Sequence, residues 1–359
     1  MFEIFLVIAG LATLLVGGEL LLRGATKIAA FFGMSNLMIG LTIVSLGTSA
    51  PEAAICIDAA LSGNAEIALG NIIGSNIANV LLILGLTAVI IPIVVHRKII
   101  QREIPIMIAC SLLFLLVVLD GELSRIDGMI LLTGMITFFV WQFLSSMEEP
   151  DLNQENQEPE SADPDANSES GSGFIFSIIF ILLGMGMLWF GAGWLVQGAT
   201  SLASSFGVSE LVIGLTVVAI GSSAPEIVTS LMAAKRGFPE MAIGNVVGSN
   251  IANLLLVGGT TAVISKNIVV PAPAMEFDIP FMIVASLACL PILATGHKIS
   301  RWEGALFLCC FILFTVFLFF RAEVTVVFPK WSMFVWPVAT PLILATVYVL
   351  ITNWLKKNN

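Results

Sequence analysis

Charge is the scarcest property of this chain. Only 11% of its 359 residues are Asp, Glu, Lys or Arg, whereas 58% are hydrophobic, and the mean hydropathy is +1.01. That balance excludes a water-soluble globular domain of this size and points to an integral membrane protein. Histidine is nearly missing too: His96 and His297 are the two present, both in expected loops. With no HExxH, GxSxG or paired catalytic aspartates, the chain is not expected to be an enzyme. Without a Gly-Lys phosphate loop, ATP-driven pumping is not expected either. No cofactor and no nucleic-acid partner are called for. The five cysteines lack paired spacing and lie inside apolar runs, so they read as small buried hydrophobes rather than disulfides or metal ligands.

What is present is apolar sequence in lengths that cross a bilayer as helix, roughly 17–25 residues each. Eleven such runs can be read, near 3–22, 37–60, 67–91, 104–119, 126–144, 174–197, 211–233, 241–264, 277–294, 302–320 and 333–354. The first lacks a basic flank and a small-residue cleavage site and is expected to be a retained helix. Acidity is localised: residues 145–173 hold nine acidic residues and no basic one, while the rest carries 15 basic against 16 acidic residues. The Pro, Ser, Asn and Gly content of that stretch predicts a solvated, disordered tether.

A shift of 174 residues superimposes the two halves. "IGLTIVSLGTSAPE" matches "IGLTVVAIGSSAPE", and "GNIIGSNIANVLL" matches "GNVVGSNIANLLL"; with one further residue of offset "REIPIMIA" matches "FDIPFMIV". Each half holds five spans. Five is odd, so the second half enters the membrane from the opposite side, and the halves lie antiparallel about an axis in the membrane plane. The expected fold is an all-α polytopic membrane protein of two inverted five-helix repeats, 1–144 and 174–320. The linker 145–173 joins them, and 321–359 adds an eleventh helix and a short tail. With the N-terminus outside, the inner loops collect eleven basic residues and the outer loops four. The positive-inside rule therefore places the linker and the C-terminus in the cytoplasm.

The repeated motif carries chemistry. Pro51 and Pro225 each remove a helical hydrogen bond, which should open the helix near Gly47 and Gly221. Broken backbone at membrane depth is tolerated only where protein or a polar cavity surrounds it, and Glu52 and Glu226 follow directly. On the next span Asn71, Ser75 and Asn79 fall on one helical face, as do Asn245, Ser249 and Asn253. Gly70, Gly74 and Ala78, with Gly244, Gly248 and Ala252, form stripes of small residues that would let another backbone approach. Meeting at the pseudo-symmetry centre, these parts would form an all-oxygen cage with two carboxylates, suited to a hard cation such as Ca²⁺ or Na⁺. Two buried carboxylates need protons or cations as company, and that requirement would couple two fluxes.

Gly, Ser and Asn in membrane helices often serve packing alone, which is an adequate reading of Asn71 or Ser75 taken singly. It fails for the duplicated Pro-Glu pair, because packing requires no buried acid. Among other acids, Asp58 has Met232 as its counterpart and either lines an access path or sits at the interface. Glu19 precedes Arg23 by four residues and reads as a local ion pair, and Glu66 and Glu240 read as exposed helix ends.

The two copies of Gly-(Thr/Ser)-Ser-Ala-Pro-Glu with Gly-Asn-x-x-Gly-Ser-Asn-Ile-Ala-Asn resemble the paired alpha repeats of the sodium/calcium exchangers, within the calcium/cation antiporter superfamily. The resemblance extends through ten spans, and its length is similar to that of bacterial inner-membrane members. It implies that Glu52 and Glu226 are the central cation ligands, with Thr48, Ser49, Ser222 and Ser223 as hydroxyl ligands. Ser75, Asn79, Ser249 and Asn253 would come from the stripes, and the backbone carbonyls of Ser45 and Ala219 would complete the sites. Several relatives carry Asp where this chain has Asn253; the lost charge disfavours an added K⁺ site. The resemblance further implies that the first and sixth helices slide as a pair over the remaining core. Partners would be the lipid bilayer and small cations, with no obligatory protein partner. Three readings stay open on sequence: Na⁺/Ca²⁺ exchange, Ca²⁺/H⁺ exchange through the same carboxylates, and, less well supported, a cation channel, whose ligand rings usually arise from oligomeric symmetry.

Overall fold

The computed structural model describes residues 2–97, 99–148, 171–206, 219–265, 267–294 and 297–327. The interior of the acidic tether and the expected eleventh span, 333–354, lie outside them. Helices α1 (Phe2–Phe32), α2 (Asn36–Thr48), α3 (Ala50–Leu61), α4 (Ala65–Ile90), α5 (Ile99–Val117) and α6 (Arg125–Glu148) make up the first half. The second half contains α7 (Gly171–Ser205), α8 (Ala219–Ser222), α9 (Ala224–Lys235), α10 (Pro239–Ser265), α11 (Ile279–Ala294) and α12 (Arg301–Val327). Seven of the described helices are long and apolar enough to cross a membrane, and α2 with α3 forms an eighth, bent span. The chain is thus an all-α polytopic membrane protein. Its lipid-facing rim is apolar: Phe190, Leu182 and Ile136 are each more than 60% exposed, ordinary for side chains meeting acyl tails and ruinous in water.

The halves are interlocked. α4 and α10 form the centre, with 78% of their apolar windows buried, against 33% for α1 and 22% for α7. Short strands tie the halves together at the two ends of the bundle: β1 (Ile93–Val94) pairs antiparallel with β4 (Lys298–Ile299), and β2 (Glu122–Ser124) with β3 (Asn267–Val269). The last helix of each half crosses to the other. Gly128 of α6 packs on the Gly259 carbonyl of α10, and Gly304 of α12 packs on the Gly85 carbonyl of α4, both too close for a Cβ. Each of these helices opens with the same cap, the Ser124 hydroxyl donating to Asp127 Oδ2 at 2.6 Å and the Ser300 hydroxyl to Glu303 Oε2 at 2.5 Å. The internal repeat therefore runs through the fifth helix, beyond the sequence match that ended at the fourth.

α1 and α7 make a separate layer. Gly10, Gly17 and Gly24 repeat every seven residues, as do Gly184, Gly191 and Gly198, and the two series face each other on antiparallel helices. A Cβ at Gly10 would lie 2.7 Å from the Leu195 nitrogen, at Gly184 2.6 Å from the Leu21 nitrogen, and at Gly24 2.6 Å from the Ser177 carbonyl. The backbones touch at these points because glycine has no side chain to hold them apart. Both helices outrun their apolar stretches, 3–22 and 174–197, by about two to three turns. Polar residues such as Arg23, Lys27 and Ser201 continue the helix past the hydrophobic run without breaking it. Glu19 pairs with Arg23, as its spacing suggests, and also with Arg236 at the end of α9, tying the α1–α7 layer to the centre.

Candidate cation site

The proline motif breaks the helix two residues beyond Gly47. Ser49, with φ −80° and ψ 1°, departs from helical geometry, and α3 leaves α2 at 43°. Pro51 has no N–H to give to Gly47, but the last bond before it survives: Ser49 N–H still donates to the Ser45 carbonyl at 3.0 Å. The second half breaks equivalently at Ser223. α3 and α9 then end at Gly63 and Gly237, both at positive φ and 174 residues apart, where a side chain would be strained. Glu52 and Glu226 thereby sit in the first turns of two short helices, where the partial positive helix end favours a carboxylate.

The site gathers residues from both halves. Glu52 and Glu226 are buried, at 1% and 0% exposure, and close enough to interact. Ser49 Oγ donates to Glu226 Oε1 at 3.4 Å, and Ser223 lies beside Glu52 without a well-directed bond. Thr48 donates to Asn245 Oδ1 at 3.1 Å and lies 3.5 Å from Ser249 Oγ. The amide nitrogen of Asn245 is engaged by Thr229 and Ser230, to which it donates at 3.0 and 2.9 Å. Ser75, Ser222, Ser249, Asn79 and Asn253 are buried. α3 packs on the turn that begins at Asn253, and α9 on the turn that begins at Asn79. Both turns are wide π-turns, Asn79–Leu84 and Asn253–Val257, a local form that recurs at functional sites.

Five side-chain oxygens in this region, Glu52 Oε2, Glu226 Oε2, Asn79 Oδ1, Asn253 Oδ1 and Ser223 Oγ, are buried without a hydrogen-bond partner. Each such atom costs about 1–3 kcal/mol when left unmatched, and carboxylate, amide and hydroxyl oxygens are the ligand types that hard cations take. Among the described residues no group of three His, Cys, Asp or Glu that could hold a metal ion converges.

Other expected residues fare differently. The Ser45 carbonyl accepts from both Ser49 N–H and the Thr48 hydroxyl, at 3.0 and 3.3 Å, so its lone pairs are engaged. Ala219 opens α8. Asn71 is half-buried and donates to Cys56 Sγ at 3.3 Å. Asp58 and Glu66 are exposed, and Glu240 pairs with His96 at 2.8 Å. The second small-residue stripe meets a backbone: a Cβ on Gly244 would lie 2.7 Å from the Leu37 carbonyl, and one on Gly248 2.6 Å from that of Leu41. Gly70 and Gly74 have nothing so close among the described residues. The segment that would match Leu37 and Leu41 by the repeat, near 211–215, lies outside them.

The sodium/calcium exchanger protein family model matches residues 2–144 and 176–320. The chain belongs to the sodium/calcium exchanger family. It is 37% identical over 320 residues to a putative antiporter, CaxA, of Alkalimonas amylolytica, covering 87% of this chain and 97% of that one. It is 32% identical over 343 residues to the sodium/calcium exchanger MaX1 of Methanosarcina acetivorans, covering 88% and 98%. Its fold matches the solved sodium/calcium exchanger of Methanococcus jannaschii with a TM-score of 0.72 at 32% identity, over 87% of this chain and 96% of that one. The chain is therefore a membrane antiporter that transports cations.

Proposed function

We propose that this exchanger moves Na⁺ against Ca²⁺ across the cytoplasmic membrane through one site, the cage around Glu52 and Glu226, exposed alternately to the two sides. The observation that carries this reading is the set of five unmatched buried oxygens supplied by both halves. Two carboxylates balance one Ca²⁺, and the same carboxylate, amide and hydroxyl oxygens can hold Na⁺. Thr48, Ser49, Ser75, Ser222, Ser223, Ser249, Asn79 and Asn253 act as ligands beside them. The carbonyls of Ser45 and Ala219 join when the turn opens further. No cofactor takes part, because the ions are the cargo.

The reading includes ten spans in two inverted repeats plus one, with the N-terminus outside and the tether and C-terminus in the cytoplasm. The glycine seam joins α1 and α7 into one body that slides over α4 and α10. α7 already covers the first break, where Met185 packs on Gly47.

The test is ⁴⁵Ca²⁺ uptake into Na⁺-loaded proteoliposomes diluted into Na⁺-free medium at matched pH. Uptake that needs internal Na⁺ supports the reading. Uptake indifferent to Na⁺ and driven by a pH gradient transfers the coupling role to protons on the two carboxylates. Asn253 gives a second expectation: with no third carboxylate in the cage, replacing K⁺ by choline leaves the exchange rate unchanged, whereas a K⁺ requirement in the same assay would remove Asn253 as the explanation of ion choice.

A further inference from the structure

The Gly-Ser-Asn-Ile-Ala-Asn motif contains two asparagines, and only the second has been given a role above. The first, Asn76 and Asn250, are 1% and 0% exposed and also 174 residues apart. Asn250 Nδ2 donates to the Asn76 backbone carbonyl at 3.4 Å and lies 3.4 Å from Met107 Sδ. Asn79 Nδ2 donates to Asn250 Oδ1 at 2.9 Å.

The polarity of this relay is set by chemistry. A backbone carbonyl and a thioether can only accept, so the Asn250 amide must turn its NH₂ toward them and its oxygen toward Asn79. Asn79 must then answer with its own NH₂, which leaves its Oδ1 turned away, buried and unmatched. A rotated Asn79 would put two N–H donors where a cation needs an oxygen. We infer that Asn250 is a positioning residue: by accepting from Asn79 Nδ2, it fixes the Asn79 amide with its oxygen presented to the transported cation.

The pseudo-symmetric relay is not made. Asn76 Nδ2 donates within its own helix to the Ile72 carbonyl at 2.7 Å, and both polar atoms of Asn253 lack partners. The cage thus has one amide held by a hydrogen bond and one without such a bond, an asymmetry that the near-identical motifs do not announce.

The inference rests on the proposed site, and the test separates the two. KM and maximal rate of Na⁺-driven ⁴⁵Ca²⁺ uptake are measured for the wild type, Asn79→Ala, Asn250→Ala, Asn79→Asp and the Asn79→Asp/Asn250→Ala double variant. A carboxylate at position 79 offers oxygen from either face and needs no orienting. Removing a group that orients a metal ligand typically costs about 10–100-fold in affinity, so Asn250→Ala should raise KM by about that factor beside Asn79 and leave it unchanged or lower it beside the aspartate, whose carboxylate only accepts and meets the Asn250 oxygen as a second acceptor. The same factor in both backgrounds is what simple packing predicts, and it overturns the inference. If Asn79→Ala itself leaves KM unchanged, Asn79 is no ligand and the inference falls, while exchange through the site around Glu52 and Glu226 stands. Should the alanine variant fail to fold, Asn250→Leu keeps the volume without the acceptor. Should Asn79→Asp fail to transport, Ca²⁺-induced thermal stabilisation of the purified variants gives the same comparison.

Discussion

Glu226→Gln abolishes Na⁺-driven Ca²⁺ uptake while leaving a folded protein. The substitution keeps the shape of the side chain and removes one of the two charges that balance the ion; it also puts an NH₂ where an oxygen ligand stood. Taking away one partner of a buried charge pair costs about 3–5 kcal/mol. By the usual conversion that is a loss of roughly two to three and a half decades in ion affinity. Without ions the variant should be at least as stable as the parent, because a carboxylate that is 0% exposed no longer has to be accommodated. Initial uptake rates and thermal unfolding with and without Ca²⁺ check both parts. Glu52→Gln should behave the same way, since the two acids occupy equivalent turns. Retained uptake in either variant would remove that residue from the site.

The second large effect is in the glycine seam between α1 and α7, at a residue that is not among the proposed ligands. Gly184→Leu should uncouple α1 from α7 and stop transport, because its Cβ would stand 2.6 Å from the Leu21 nitrogen and 2.8 Å from the Gly17 carbonyl, atoms of backbone that cannot swing aside. Overpacking a core with side-chain neighbours costs about 1–3 kcal/mol; pushing two backbones apart along a seam should cost at least the upper end of that range. Gly193→Leu, on the same helix but with nothing within 4 Å, is the control and should be tolerated. Thermal unfolding and uptake are the readouts. Equal tolerance of both substitutions would show that the close seam is not needed.

Much of this was legible before any coordinates. The 174-residue repeat, the doubled Pro-Glu and the polar stripes point to paired breaks at membrane depth, and the structure brings Glu52, Glu226, Thr48, Ser49 and Ser249 together from both halves. Less legible was whatever depends on one polar atom finding another across the halves. Asn245 resembles a site ligand on its helical face, yet Thr229 and Ser230 hold its amide. Asn250 occupies a position that the stripe pattern skips, and only its contact with Asn79 shows its use. The π-turns at Asn79 and Asn253, which pack against α9 and α3, have no composition signal. The glycine heptads of α1 and α7 were visible in the sequence, but their meaning needed the antiparallel register that sets one series against the other.

The most direct test of the account is ²²Na⁺ release from loaded proteoliposomes, with pH clamped equal on both sides, before and after Ca²⁺ is added outside. The account predicts that external Ca²⁺ triggers ²²Na⁺ release, that ⁴⁵Ca²⁺ enters in step with it, and that Glu226→Gln abolishes both. Ca²⁺ entering without any added Na⁺ release, or Na⁺ leaving at the same rate with no Ca²⁺ present, would contradict exchange through a shared site.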